Sequence, residues 1–242
     1  MSRPFLTARW EYLVFLNYPC PPALLEPLVP RGTELDSWLG QTFVSLVGLH
    51  FRDTLVRGIG FPCHRTFEEV NLRFYVRRTD PSGEIRKAVV FIRELVPRRA
   101  IAAVARRFYN EPYLALPMSN ANDIEFPVGG LVAYFWSIEQ KKFSLIANIA
   151  GEPAEPGPGT QASFITEHHW GYTRQRDGGT LEYRVEHPRW PVWTPVSFNL
   201  EGPMQLVFGE AFAEILRQPP ASVYVAPGSN VSVFPGRRLP PG

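Results

Sequence analysis

Lysine is scarce in this sequence: Lys87, Lys141 and Lys142 are the only three among 25 lysine and arginine residues. The chain has no run of roughly 20 uncharged apolar residues, which excludes a membrane-spanning helix and predicts no membrane partner. The formal net charge is only +2, which argues against a dedicated nucleic-acid surface. The first ten residues lack an apolar segment long enough for a signal peptide, so we expect a cytoplasmic protein.

Cysteine is scarce as well. Cys20 and Cys63 are too few for a disulfide framework in a chain of 242 residues, and neither lies in a CxxC motif. The adjacent pair Cys63 and His64 supplies too few ligands for a tetrahedral zinc site. A structural metal is therefore not expected.

The histidines do not form a recognisable metal site either. His168 and His169 would point to opposite faces of a strand, and no carboxylate pattern accompanies them and His187. The GxSxG, GxxxxGK[ST] and GxGxxG motifs are also absent, which removes the common hydrolase, nucleotide and dinucleotide signatures. We therefore expect no cofactor.

The apolar content is high enough for one sizeable core. Hydrophobic residues make up 45% of the chain and aromatic residues 13%, a globular composition. A Pro/Gly-rich segment at 151–160 is the one candidate linker, but the flanking segments are too short for two separate cores. We predict a single domain over 1–242, in which 151–160 is an exposed loop that tolerates shortening.

Most of the remaining pattern has the period of β-strands. Residues 41–52 carry apolar side chains on both faces, which predicts a buried strand. Three hairpins are also predicted, each a pair of strands around a turn: 66–78 with 85–95, 130–138 with 143–149, and 165–174 with 181–186.

Residues 97–109 switch to helical periodicity, with an apolar stripe that includes Ile101 and Val104, and Pro112 ends the helix. Shorter helices are predicted at 21–28 and 209–217. Fold class is therefore mainly β (α+β), an interpretation compatible with a closed antiparallel barrel.

Several stretches, spread from about Arg9 to Val233, resemble one family. They are 9–15 (RWEYLVF), 21–30 (PPALLEPLVP), 65–77 (RTFEEVNLRFYVR), 105–113 (ARRFYNEPY), 164–167 (FITE), 187–191 (HPRWP) and 223–228 (VYVAPG). In that order they resemble the YqjF-like bacterial family, whose function is unknown and which is distantly similar to acetoacetate decarboxylase. The resemblance implies a cone-like antiparallel β-barrel with a few flanking helices and a closed cavity. Fold does not by itself fix activity.

The decarboxylases use a lysine, directly after a proline, that forms a Schiff base and has its pKa lowered by a second lysine. In the matching segment here, Pro112 is followed by Tyr113 and Leu114, so both lysines are absent. Lys87 lies on a predicted strand, where a lysine is usually solvated, and Lys141 lies in a predicted hairpin turn. Schiff-base chemistry is therefore not expected.

The best candidate site is one face of the strand at 66–78. Its alternating polar side chains would either line a polar cavity or face solvent, and the resemblance favours the cavity because it matches Glu69 to the family's glutamate. Members of this face are Glu69, Asn71, Arg73 and Tyr75.

Three further residues are candidate ligand-binding groups. Arg107 lies near the helix end and Tyr113 follows Pro112, while the resemblance loosely aligns Tyr18 with an arginine of the decarboxylase pocket. We expect one of these three to pair with Glu69 and Arg73 to remain available for an anionic or carbonyl ligand. The aromatic turn at 187–193 is predicted to cap one end of the barrel.

Three functions remain open at this point. The first is a small-molecule-binding barrel without the decarboxylase nucleophile. The alternative is a lysine-independent enzyme acting on a small carbonyl or carboxylate compound, with Glu69 as general acid or base. A third is a module that acts mainly through contacts between copies of the chain, as a homo-oligomer.

Overall fold

The computed structural model describes residues 3–125 and 128–240. Within these residues most regular structure is strand, which confirms the mainly β prediction. The strands are β1 (Leu6–Pro19), β2 (Glu34–Leu35), β3 (Phe43–Val56), β4 (Phe67–Thr79), β5 (Ile85–Val96), β6 (Tyr113–Ala115), β7 (Met118–Asn120), β8 (Asp123–Glu125), β9 (Gly129–Ile138), β10 (Lys141–Ala150), β11 (Trp170–Arg174), β12 (Thr180–Glu186), β13 (Ser197–Glu201), β14 (Ser222–Val233) and β15 (Arg237–Arg238). The helices are α1 (Pro22–Leu25), followed by a 3-10 turn (Glu26–Leu28), α2 (Arg99–Phe108), α3 (Gln161–Thr166), α4 (Gln205–Phe208) and α5 (Glu210–Leu216).

The three predicted helices form, each within two residues of its expected bounds, as α1 with its 3-10 turn, α2 and α5. The strand predicted from residue 165 is wrong in its first part, because Ile165 and Thr166 end helix α3. The side chain of Thr160 accepts a hydrogen bond from the backbone N–H of Ser163 and so caps this helix. Strand β11 begins only at Trp170.

The larger sheet returns to its starting strand. The pairing order runs β4, β3, β1, β14, β12, β11 and β5, and β5 pairs again with β4. The expectation of an antiparallel arrangement throughout is wrong at two places, since β5 pairs in parallel with both β11 and β6. The connections through α2 and α3 reverse the chain direction and allow these parallel pairings.

A second sheet contains β13, β10, β9 and β7 in that order, with β8 paired to β9. The predicted hairpin of β9 and β10 therefore forms, but it lies in this sheet and not in the larger one. The physical reason is that the outer face of β4 is apolar and needs a partner. Its Leu72 and Phe74 are buried together with Tyr134 and Leu145 of the second sheet. Gly48 leaves room for the Tyr134 ring, which a Cβ atom there would overlap.

Strand β3 is buried on both faces from Phe43 to Leu49, as its sequence predicts. The inner faces of β1, β3 and β4 form a second apolar cluster with Phe15, Val47, Tyr75 and Phe164 among its members. This inner cluster surrounds the cavity described below.

The Pro/Gly-rich loop at 151–160 is largely exposed. It is nevertheless attached to the body, because Ala154 forms a β-bridge with Val192 and the Trp38 indole N–H donates to the Gly159 carbonyl at 2.9 Å. In the part of the chain that the structure describes, no helix has the length and apolarity needed to cross a membrane.

Candidate functional site

A cavity of about 590 Å³ lies against the inner face of the larger sheet, and we call it the β4 cavity. Aliphatic and aromatic side chains form most of its wall. The polar groups on the wall come from several elements, so no single sequence segment encodes them. They include Glu69, Asn71 and Arg73 from β4, Glu94 from β5, Glu111 and Tyr113 from the segment after α2, and His168 and Tyr183.

The side chains of Phe67, Glu69, Asn71 and Arg73 line this cavity, since alternate residues of a strand share one of its faces. Glu69 and Asn71 are 3% and 2% exposed, so neither is on a solvent-facing side of the strand. The Asn71 amide donates to Glu69 Oε1 at 2.9 Å, and the Tyr113 hydroxyl donates to Glu69 Oε2 at 3.1 Å. Among the three candidate partners of Glu69, the structure therefore brings Tyr113 to it.

Glu94 reaches the cavity through a β-bulge. Asn71 pairs with Glu94, but Arg73 pairs with Phe91, so β5 holds one extra residue between these two positions. The extra residue places Phe91 and Glu94 on the same face, although strict alternation would separate them. Glu94 is 2% exposed and its Oε2 has no hydrogen-bond partner in the described residues.

Glu111 is the third buried carboxyl group on this wall. It lies just before Pro112 and accepts hydrogen bonds at Oε1 from the hydroxyl groups of Thr173 and Tyr183. The Tyr183 ring stands directly over Gly171 of the neighbouring strand, where a Cβ atom would overlap it. Glycine at 171 is therefore what allows Tyr183 to reach Glu111.

The three glutamates bind protons more tightly than ordinary carboxyl groups. Burial raises the pKa of Glu69 to about 7, opposed by its hydrogen bonds from Asn71 and Tyr113. Burial likewise raises the pKa of Glu111 to about 7. The pKa of Glu94 is raised well above its ordinary value by burial and then by the charges of Glu111 and Glu69. Near neutral pH this cluster therefore holds protons and can donate hydrogen bonds.

Arg73 lies beside this cluster without an ion pair to any residue of the described chain. Its Nε is buried and has no hydrogen-bond partner there, and its guanidinium carbon lies 5.4 Å from the Phe15 ring centre. Burial and then Arg73 lower the pKa of His168 well below its ordinary value, so this imidazole is neutral at physiological pH. A permanently charged cation thus faces a mostly uncharged cavity wall.

Three residues proposed from the sequence lie elsewhere. Tyr18 packs with Leu16 in the cluster between the two sheets, because it is on the outer face of β1. Tyr75 is 1% exposed, and its hydroxyl shares a hydrogen bond of 2.6 Å with Ser45 instead of lining the cavity. Arg107 is on the exposed side of α2. These three are not part of the β4 cavity.

The histidines and the aromatic turn are placed around one side of the cavity. His187 stacks on Trp190 with ring centres 4.0 Å apart, and both line the cavity with Trp10. His169 packs against His187, whereas His168 contacts Tyr75, so the adjacent histidines face different neighbours. Over residues 3–125 and 128–240, no three potential metal-ligating side chains come together.

Sequence reasoning missed Glu94, Glu111 and Tyr183 as cavity residues. Glu111 stood in the segment aligned with the decarboxylase lysines, directly before Pro112, which was a usable signal. Glu94 had no such signal, because the bulge in β5 reverses the face that alternation assigns to it.

The sequence matches the family DUF2071, described as an uncharacterized conserved protein, over residues 7–230. A curated relative, the uncharacterized protein YqjF of Bacillus subtilis, is 29% identical over 112 residues. That alignment covers 46% of this chain and 44% of the relative, so the chain matches less than half of the relative's length.

Solved structures share the fold at low sequence identity. Acetoacetate decarboxylase from Legionella pneumophila superposes with a TM-score of 0.65 at 15% identity, covering 99% of this chain and 88% of that one. The enduracididine biosynthesis enzyme MppR complexed with pyruvate gives a TM-score of 0.67 at 12% identity, covering 99% and 92%. An acetoacetate decarboxylase-like enzyme from Sphingomonas wittichii gives 0.63 at 13% identity, covering 97% and 92%.

Proposed function

Because the chain belongs to the DUF2071 family and has the fold of acetoacetate decarboxylase-like enzymes, we propose that it binds a small organic acid or carbonyl compound in the β4 cavity. In this proposal the ring of strands is the wall of a ligand-binding barrel. The observation that carries the proposal is Arg73, a cation on the cavity wall without an ion pair in the described chain. A carboxylate or carbonyl oxygen would supply the missing acceptor.

The neighbouring glutamates support an acidic ligand instead of opposing it. Since burial raises the pKa values of Glu69 and Glu111 to about 7, these groups carry less negative charge at neutral pH than exposed carboxylates would. A protonated Glu94 can donate a hydrogen bond to a carbonyl oxygen, because its Oε2 has no other partner in the described residues. Arg73 therefore holds the negative end of the ligand and the carboxyl cluster holds its carbonyl.

A thermal-shift series tests the role of Arg73. With 2-oxohexanoate at about 100 times its dissociation constant, we expect about 2.7 kcal/mol of stabilisation, equivalent to roughly 5–10 °C in Tm. Arg73→Met should remove this shift, because methionine preserves packing against Phe15 but carries no charge. The uncharged ketone 2-hexanone should stabilise the parent protein much less.

Arg77→Met is the matched control. Arg77 is exposed on the same strand and forms an ion pair of 2.8 Å with Glu34, away from the cavity. It should keep the full ligand-induced shift. Equal shifts in the parent and in Arg73→Met would contradict the proposed site.

We propose further that binding does not proceed through a Schiff base. Tyr113 and Leu114 occupy the positions that the resemblance assigns to the lysine pair, and Lys87 is exposed on β5. Borohydride reduction in the presence of acetoacetate or pyruvate should therefore leave the protein mass unchanged. A stoichiometric reduced adduct mapped by mass spectrometry to Lys87 would overturn this prediction.

An enzyme that uses Glu69 as general acid or base is the second candidate. One observation favours it: burial raises the pKa of this cavity carboxyl group to about 7. A group with a pKa near the working pH can both accept and donate a proton. An enzyme would convert a bound acid chemically, and Glu69→Gln would lose this turnover but still bind the acid. A binding protein would show no turnover in either form.

A further inference from the structure

The polar groups of the β4 cavity are concentrated toward one end of the strand. Going backwards along β4, the wall changes from Arg73 through Asn71 and Glu69 to the apolar Phe67. Arg73 is six positions after Phe67, which corresponds to about 20 Å at 3.3 Å per strand residue. The cavity wall therefore changes from polar to apolar over a distance much greater than the length of a three-carbon acid.

The polar end is closed. Beyond Arg73 the strand continues to Tyr75, which is 1% exposed and packs against Phe164 and His168 with ring centres 5.1 and 4.6 Å away. A ligand head group at Arg73, which is itself half-buried, therefore cannot extend along the strand past Tyr75.

The opposite end is lined mostly by apolar side chains, with Arg57 and His64 among them, and reaches the surface. Phe67 stacks on Phe51 with ring centres 4.6 Å apart, and Phe51 is paired across the sheet with Trp10 of β1. Phe61 and Val104 line the cavity too, although they are 53% and 43% exposed. Apolar side chains that are exposed and also line a cavity mark its entrance and offer contacts to an apolar ligand.

The volume is too large for a small acid alone. At about 590 Å³ the cavity lies within the roughly 300–1,000 Å³ of pockets that enclose drug-sized molecules. A three-carbon keto acid at Arg73 would leave the apolar side chains near Phe67 and Phe51 without contacts. An apolar extension of the ligand would occupy that space and remove its surface from water.

We propose that the ligand is an amphiphilic organic acid, with its carboxylate or keto acid head at Arg73 and an apolar body directed along β4 toward Phe61. This inference rests on the proposed function and specifies its ligand class. Affinity then depends on two separable parts of the ligand, the charged head and the length of the apolar body.

A homologous series of 2-oxo acids from pyruvate to 2-oxodecanoate tests the proposal by calorimetric titration. Affinity should rise roughly threefold for each added methylene group, so that 2-oxodecanoate, which is longer by seven of them, binds about 2,000 times more tightly than pyruvate. Arg73→Met should lower the affinity for every acid of the series that binds the parent protein, and by a similar factor for each.

Helix α2 supplies a matched pair of variants. Ala105 lines the cavity and Ala103 is exposed on the same helix without lining it. Ala105→Phe should weaken 2-oxodecanoate at least about tenfold with pyruvate unaffected, whereas Ala103→Phe should change neither.

The outcomes separate the two proposals. Affinity that depends on Arg73 but is the same for pyruvate and 2-oxodecanoate would overturn the amphiphile and leave the proposed function intact. Failure of every acid in the series to bind the parent protein would overturn both. A length dependence that Ala105→Phe and Ala103→Phe reduce equally would also overturn the placement of the apolar body.

Discussion

The free energy of unfolding should fall as pH rises from about 6.5 to 8, and replacing Glu94 with glutamine should reduce this fall. Unfolded glutamates lose their protons near pH 4.5, whereas Glu69 and Glu111 keep theirs to about pH 7 in the folded protein. Between these values the two carboxyl groups bind more protons in the folded state than in the unfolded state. The buried histidines His168 and His187 have lowered pKa values and oppose this effect below about pH 6.5, so rising pH favours unfolding above that value. A shift of this size corresponds to about 3 kcal/mol for each buried carboxyl group.

Glu94→Gln acts on the whole cluster. It removes the buried ionisable group whose pKa is raised by burial and by the charges of both Glu111 and Glu69. We expect urea denaturation followed by tryptophan fluorescence to show at least about 1 kcal/mol less loss of stability between pH 6.5 and 8.

Glu68→Gln is the control for this experiment. Glu68 precedes Glu69 but lies on the other face of β4, where it accepts a hydrogen bond of 2.6 Å from the Asn120 amide. It should retain the pH dependence of the parent protein. Stability that is constant or increases between pH 6.5 and 8 in the parent would show that the cavity glutamates are not held as neutral acids.

Glu182→Gln should lower the free energy of unfolding by about 3–5 kcal/mol at neutral pH. Glu182 is fully buried and accepts from Arg86 at 2.9 Å, Arg237 at 2.7 Å and the Tyr172 hydroxyl at 2.7 Å. Burial alone would raise the pKa of Glu182, but these hydrogen bonds and the Arg86 charge outweigh it and lower the pKa. Glutamine would leave the nearly buried Arg86 with one fewer counter-charge.

The pH dependence of this carboxylate has the reverse sign. Because the folded-state pKa of Glu182 is below its unfolded value, its contribution is complete above about pH 5 and is lost as pH falls through the folded pKa. Glu186→Gln is the control, since Glu186 pairs with Arg184 on the exposed surface of the same strand. Such a pair contributes less than about 1 kcal/mol. Equal effects of the two substitutions would show that the buried carboxylate is not held as an ion.

Comparison of these two buried acids shows what a sequence pattern can and cannot determine. Glu94 and Glu182 both stand among apolar residues of strands, with nothing in their neighbours along the chain to separate them. Glu94 is surrounded by other carboxyl groups and Glu182 by arginines, so one is expected to be neutral and the other charged. This difference arises from residues far apart in sequence.

Local periodicity by itself determined much of the strand content, three of the helices and the placement of Glu69, Asn71, Arg73 and Tyr75 on one face of a strand, because each depends on side chains only a few residues apart. That three of these four line a cavity was decided by the tertiary structure. Tertiary structure alone decided the bulge that turns Glu94 inward and the reach of Tyr183 over Gly171 to Glu111. It also decided the placement of β9 and β10 in a separate sheet. The physical reason is that burial, pairing register and charge neighbourhood are set by contacts between distant strands, and these contacts leave no periodic signal within any one segment.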